Sequence, residues 1–378
     1  MTDTKPQRAD DGETKRRLAA IAACDRVLSH GQPPSMRERL TALLDSGDLD
    51  VFPDQYGDGI VRQLEERVAG LLGKPDAAFF PTGTMAQQAV LRCWAARAGC
   101  PTVALHPLAH PERHERGALS TLTGLRTIYP TAEPRLPDAA EVRDADEPFG
   151  TLMLELPLRE AGFVLPTWDE LTATVQAARD RSAFVHFDGA RLWESTVYLG
   201  RALDEIAALA DSVYVSFYKS LGGLSGAAVA GPADLIAEAK AWRHRYGGML
   251  FQQFPAVIAA MNGLDTELPR LPAYVAHAAT VAEALRSAFA DTVPWFRIHP
   301  AVPHTHQFAV WLPYPPDVLD DAVLRQAEQT RTSLFRKWGS TALPDVAKAE
   351  VQVSASALHW TAADVEAAAR AFVAYLGL

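Results

Sequence analysis

The sequence predicts an α/β fold, a mostly parallel sheet covered by helices and followed by a smaller α+β domain. Three observations carry the prediction. The runs DAAFF (76–80), GTLMLEL (150–156), SAFVHF (182–187) and SVYVSF (212–217) are short and apolar, and each reads as a strand buried on both faces. Between them, TMAQQAVLRCWAARAG (84–99) and TWDELTATVQAARDRS (167–182) carry helical periodicity, and strands separated by helices of that length pair in parallel. After about Leu264 the pattern changes to a long helix near 274–290, then strand-like WFRIHP, HQFAVWLPY and AEVQVSAS, and a final helix from Thr361.

The 378 residues exceed what one hydrophobic core usually covers, and 48% hydrophobic content is enough for two. The expected organisation is an N-terminal arm (1–35), a large α/β domain (36–264) and a small α+β domain (265–378), with the break at ELPRLPAY (267–274). A formal charge of −10 gives no broad attraction to nucleic acid or anionic lipid, so any bound anion needs a local site. The three cysteines, Cys24, Cys93 and Cys100, form no C-x-x-C pair and fit a reducing compartment. MTDTKPQRADDGETKRR has no apolar centre for a signal peptide, and no apolar stretch of about 18 residues follows. The expected location is the cytoplasm.

Taken in chain order, three segments bring chemistry to one edge of the sheet. In FFPTGTMAQQAV a strand ends at Phe80 and Thr82, Gly83 and Thr84 lead into a helix. Free N–H groups and two hydroxyls there suit an anion such as phosphate, while an ordinary Thr N-cap is the plainer reading. Neither G-x-G-x-x-G nor G-x-x-x-x-G-K-[ST] occurs in that segment, which argues against a dinucleotide or nucleoside triphosphate. In FVHFDGARLWES, Asp188 closes a strand and Arg191 follows three residues later. The carboxyl end of a parallel strand is where open α/β sheets bind ligands; an Asp188–Arg191 ion pair or an Asp helix cap is the structural alternative. In VSFYKSLGGLSG, Ser216, Tyr218 and Lys219 emerge at the same edge among glycines. A strand-end lysine desolvated there acts as an amine nucleophile, whereas most lysines in turns are simply solvated.

A phosphate cradle, a strand-end Asp and a strand-end Lys together point to pyridoxal phosphate. Lys219 would link its aldehyde, Asp188 would keep the pyridine nitrogen protonated, and Thr82 to Thr84 would hold the phosphate. The segments YGDGIVRQLEERVAGLLGKPDAAFFPTGTMAQQ, AHPERHERGALSTLTG, VHFDGARLWES and SFYKSLGGLSGAAVAG resemble, in order from about Ser29 to Gly231, the threonine aldolase and β-eliminating lyase family of fold-type I pyridoxal phosphate enzymes. The resemblance implies that Arg191 binds the substrate α-carboxylate, that His110 stacks on the pyridine ring and that Ser29 adds a carboxylate contact. It implies that Tyr56 to Asp58 shape the substrate pocket. It also implies a homodimer or homotetramer with sites completed by a neighbouring subunit. Three positions depart from the family pattern: His30 follows Ser29 where Asp is common, Gln252 stands where a phosphate-binding Arg is expected from the partner, and EVQVSASALHW lacks the second carboxylate-binding arginine.

His106, His110 and His114 recur every four residues with Glu115 beside the last, a spacing that would align zinc ligands on a helix. Pro107 and Pro111 interrupt that helix, so no metal site is expected and one histidine on the cofactor is preferred. His304 and His306 carry no assigned role. The resulting expectation is cleavage of a β-hydroxy-α-amino acid to glycine and an aldehyde, with His110 or a water it orders as base. β-Elimination or racemisation at the same site is the alternative, and a non-catalytic regulatory homologue the distant one.

Overall fold

The apolar runs form a seven-stranded sheet. Its strands are β1 (Asp76–Phe80), β2 (Thr102–Ala104), β3 (Arg126–Ile128), β4 (Thr151–Glu155), β5 (Phe184–Gly189), β6 (Ser212–Ser216) and β7 (Ala227–Gly231), in spatial order β1-β7-β6-β5-β4-β2-β3. Only β7 runs against its neighbours. Every residue of β4, β6 and β7 is buried, as a sheet covered on both faces requires. This computed structural model describes residues 11–46 and 49–376. The chain divides into two units, Arg37–Leu271 and a second that runs to Met36 and resumes at Pro272.

Three of the four expected strands appear almost as read, at 76–80, within 150–156 and within 212–217, and the remaining one is displaced. Ser182, expected to begin a strand, instead closes the helix Trp168–Asp180, at φ 58° with its N–H on Arg179 O, so β5 starts at Phe184 and continues to Gly189. Strands β2, β3 and β7 carry too little signal to be foreseen: two have three residues, and β7 is AAVAG. Neighbours on the sheet, not side-chain propensity, make them strands.

The helices begin where their caps dictate. Thr82 caps the helix Gly83–Ala98 by accepting the Met85 N–H at 3.2 Å, and Gly99 at φ 61° ends it. Thr167 and Glu170 form a capping box at the start of Trp168–Asp180. The helix Gly83–Ala98 packs Ala86, Ala89, Val90 and Cys93 against Ala78 and Phe80 of β1, Val103 of β2 and Val229 of β7. Each large apolar side chain so buried contributes roughly 1.5–3 kcal/mol. The core thereby fixes the helix N-terminus at the carboxyl edge of the sheet.

The second unit contains a four-stranded antiparallel sheet ordered Gly339–Ser340, Ala347–Gln352, Gln307–Leu312, Arg297–His299. Its last helix, Ala362–Ala374, is capped by Thr361. The segment expected as an N-terminal arm, 1–35, joins this unit in its described part. The helix Asp11–Ala22 reaches Pro316–Thr330 through Arg16–Glu328 at 2.8 Å and Arg17–Asp320 at 2.6 Å, and Arg26–Val27 pairs in parallel with Thr332–Ser333. The break expected at 267–274 is a single turn of 3₁₀ helix, Leu268–Arg270, between Phe254–Thr266 and Leu271–Ala290. Pro272 stands in the first turn of the latter helix, where its missing N–H has no intrahelical bond to lose. Among the described residues no helix is long and apolar enough to cross a membrane.

Candidate active site

The parallel strands of the larger unit deliver their following residues to one edge. A cavity of about 250 Å³ opens there, lined by Thr82, Gly83 and Thr84 after β1, by His110 and Glu115 after β2, by Asp188 of β5, and by Tyr218 and Lys219 after β6. Gln87 from the helix Gly83–Ala98 and Tyr214 of β6 complete the floor. Seven of the residues singled out in the sequence therefore converge: Thr82, Gly83, Thr84, His110, Asp188, Tyr218 and Lys219.

At the helix N-terminus the plain and functional readings divide between residues. Thr82 spends its hydroxyl on the cap, whereas the amides of Gly83 and Thr84 lie in the first turn and have no intrahelical acceptor. Gly83 has to be glycine, because a Cβ there would overlap Tyr214 Oη. Across the turn, Gly226 at φ 95° lies against the Phe79 ring, where a Cβ would also overlap. Gly226 belongs to the glycine-rich run after Lys219, where the backbone has to pass close to an aromatic ring.

Lys219 faces two strand-end carboxylates. Asp188 and Glu155 are register partners on β5 and β4, and both are buried. Burial raises both carboxyls, Glu155 to about 7 with the Asp188 charge adding to the rise, while Lys219 pulls each back down. Burial, together with the charges of Arg191 and Arg159, lowers the Lys219 ammonium to about 8 against the opposing pull of Asp188 and Glu155. A lysine so placed supplies a neutral amine near neutral pH. Glu155 is also a brace: Oε2 accepts the His110 N–H at 2.7 Å and Oε1 the Arg159 N–H at 3.2 Å.

His110 begins the short helix His110–His114, and Pro111 occupies its first turn rather than breaking it. Buried Glu115 lies 3.2 Å from His110 Nδ1 and accepts Gln88 Nε2–H at 3.2 Å. With Nδ1–H on Glu115, Nε2 is the ring nitrogen left to accept a proton. The other two histidines bind elsewhere: His106 Nε2 lies 2.7 Å from Glu133 O and His114 Nε2 2.9 Å from Glu160.

The remaining expected residues stand outside the cavity wall. Arg191 places its guanidinium 5.3 Å from the Phe163 ring centroid, and Ser216 is buried at the end of β6 with its carbonyl accepting Trp193 Nε1–H at 3.0 Å. Tyr56, at φ 51°, packs edge-on against Phe251 at 5.4 Å and is 58% exposed. Gln252 is exposed as well. Ser29 belongs to the second unit, where Oγ lies 2.8 Å from His30 Nδ1 and accepts the Gln352 N–H at 3.1 Å. Gln352 Oε1 in turn accepts Gln307 Nε2–H at 2.8 Å.

Several contributors were not singled out in the sequence. Glu155 had a signal, since it ends LMLE as Asp188 ends its own strand. Gln87, Tyr214 and buried Glu194, which accepts Ser220 Oγ–H at 2.7 Å beside Lys219, had none. Burial raises Glu194 to about 7.

Comparison with known proteins identifies relatives in sequence and in fold. The family model described as β-eliminating lyase matches residues 30–295. The low specificity L-threonine aldolase of Escherichia coli O157:H7 is 32% identical over 250 residues, 64% of this chain and 74% of that protein. A Listeria monocytogenes structure, provisionally described as an L-allo-threonine aldolase, superposes with TM-score 0.88 at 32% identity over 96% of this chain and 100% of its own. An Exiguobacterium structure, provisionally described as an aromatic amino acid β-eliminating lyase/threonine aldolase, gives 0.88 at 31% over 95% and 99%.

Proposed function

From the premise that this chain belongs to the threonine aldolase and β-eliminating lyase family, we propose that it is a pyridoxal-phosphate-dependent carbon–carbon lyase that cleaves β-hydroxy-α-amino acids to glycine and an aldehyde. The observation that carries the reading is Lys219, its ammonium lowered to about 8, in one cavity with Asp188 and the free first turn of the helix Gly83–Ala98.

The cavity fits the cofactor on three grounds: first-turn amides at Gly83 and Thr84 with no intrahelical acceptor, an amine poised for an aldehyde, and a buried carboxylate suited to a ring nitrogen. When bound, pyridoxal phosphate supplies an electron sink for the pair released at Cα. Gly83 and Thr84 N–H and the Thr84 hydroxyl hold the phosphate, assisted by the helix dipole. Lys219 would hold the aldehyde carbon, and Asp188 would keep a proton on the ring nitrogen. Arg191 holds the substrate α-carboxylate, which sets which Cα bond breaks. His110 Nε2 takes the β-hydroxyl proton while Glu115 fixes the ring, the Cα–Cβ bond breaks, and a returning proton at Cα completes glycine.

The working unit is a homodimer or a pair of dimers. The helix Met36–Leu44 has no buried residue, and Leu40, Leu44 and Phe52 are 61%, 70% and 99% exposed, an apolar face that a second copy would cover. Tyr56 and Gln252 adjoin Phe251 on exposed surface, which suits residues that serve the neighbouring subunit's site. All three cysteines are unpaired, in keeping with a reducing cytoplasm.

Incubation with a panel of β-hydroxy-α-amino acids tests the reading: glycine and the matching aldehyde are expected, with bulkier side chains preferred over threonine. The alternative, β-elimination, would yield a 2-oxo acid and ammonia without glycine, and that result would refute the aldolase.

A further inference from the structure

A chain of four buried side chains reaches the cavity and ends in a donor with no acceptor among the described residues. Trp94 Nε1–H donates to Ser212 Oγ at 2.7 Å, Ser212 Oγ lies 2.8 Å from His186 Nδ1, and His186 Nε2 lies 2.9 Å from Gln87 Oε1. All four side chains are at most 2% exposed. Indole N–H only donates and an amide oxygen only accepts, so the two ends determine the middle. Gln87 Oε1 requires hydrogen on His186 Nε2. Burial holds that imidazole down to about 3, so the ring is neutral and its Nδ1 accepts. Ser212 therefore accepts from Trp94 and donates to His186. The same order turns the Gln87 amide so that its oxygen faces His186 and its NH₂ faces away.

Gln87 lines the cavity, and its Nε2 has no hydrogen-bond partner among the described residues. A buried amide donor without an acceptor costs about 1–3 kcal/mol, and four side chains in fixed order hold it in that state. The arrangement makes sense if an acceptor arrives with a ligand. We propose that Gln87 is a ligand-facing donor, aimed by the Trp94–Ser212–His186 relay, that holds an oxygen of bound pyridoxal phosphate. This rests on the cofactor reading above. The oxygen belongs either to the phosphate, one helical turn away at Thr84, or to the pyridine ring; both are anionic acceptors. Gln87 touches the cofactor, whereas His186 and Ser212 act through it as positioning residues.

Equilibrium binding of pyridoxal phosphate and of pyridoxal to the full chain tests the proposal. Gln87→Glu keeps the acceptor for His186 and removes the donor; Gln87→Leu removes both. Each is expected to weaken pyridoxal phosphate binding at least about tenfold, the loss typical of a hydrogen bond to a charged group. Equal weakening for pyridoxal assigns the ring oxygen, and no weakening for pyridoxal assigns the phosphate. Ser212→Ala should weaken binding about threefold in the parent and not at all in the Gln87→Leu background, because a relay that acts only through Gln87 has nothing left to aim. Variants at Gln87 that bind both ligands as tightly as the parent would overturn the proposal, and a Ser212→Ala effect of equal size in both backgrounds would overturn the relay. A parent chain that takes up no cofactor would instead overturn the functional reading on which it stands.

Discussion

The carboxyl edge of the large sheet and the polar cluster around Ser29 were both marked by sequence as ligand sites, yet they are built differently. At the sheet edge, charged groups are held by neighbours and kept in unusual states: Lys219 lowered to about 8, Glu155 raised to about 7, His110 fixed on Glu115. Around Ser29 the polar groups satisfy one another, Ser29 with His30 and Gln352, and Gln352 with Gln307. The first region keeps groups available for a ligand, and the second has an amide pair where the family pattern places an arginine. On the proposed reading, cofactor chemistry rests on the sheet edge and carboxylate binding is left chiefly to Arg191.

The largest effect expected is at Lys219. Lys219→Ala should remove the borohydride-reducible yellow adduct and lower turnover by several orders of magnitude. A variant that still carries covalently bound cofactor after borohydride reduction and denaturing gel filtration would break the comparison at its strongest point. Next, His110→Ala should lower kcat about 10²–10⁴-fold while cofactor affinity changes little, since the contribution lost is that of a general base. Arg191→Ala should raise KM for the amino acid about tenfold or more with less effect on kcat; steady-state kinetics separates the two. A loss of cofactor binding in Arg191→Ala would move that residue to the other side of the comparison.

The pH dependence sharpens the same point. Attack on the cofactor aldehyde needs unprotonated Lys219, and its ammonium is lowered from 10.5 to about 8. The rate of cofactor capture should therefore rise with pH and reach half its maximum near 8, which stopped-flow absorbance reads directly. The smallest effect is expected at Gln352, already bound to Gln307. Gln352→Ala should change KM less than about threefold, and a larger change would show that the amide pair serves the substrate after all.

How far sequence reached follows from the same contrast. Strand-end Asp188 and Lys219 and the Thr82–Thr84 turn were legible because strand, turn and helix N-terminus are local features with polar residues at their ends. Glu155 was equally local and went unmarked, although its place in LMLE matches that of Asp188. Gln87 and Tyr214 lie inside apolar segments, and their roles arise only when the helix Gly83–Ala98 is laid on β5 and β6, bringing Gln87 to His186 and Gly83 to Tyr214. The missed strands β2, β3 and β7 share that origin, being strands because of the neighbours they pair with. The prolines were read half correctly, since His106 lies outside the helix His110–His114 but Pro111 starts a helix that it was expected to break.

Bond choice at Cα is the central claim, and one isotope measurement tests it most directly. A β-hydroxy-α-amino acid carrying deuterium at Cα is cleaved under initial-rate conditions, and the products are weighed by mass spectrometry. Retro-aldol cleavage leaves the Cα–D bond intact, so glycine should appear with its deuterium retained and in a one-to-one ratio with aldehyde. Deuterium lost to solvent, with a 2-oxo acid or an epimerised substrate in place of glycine, would show that the Cα–H bond is the one this site breaks.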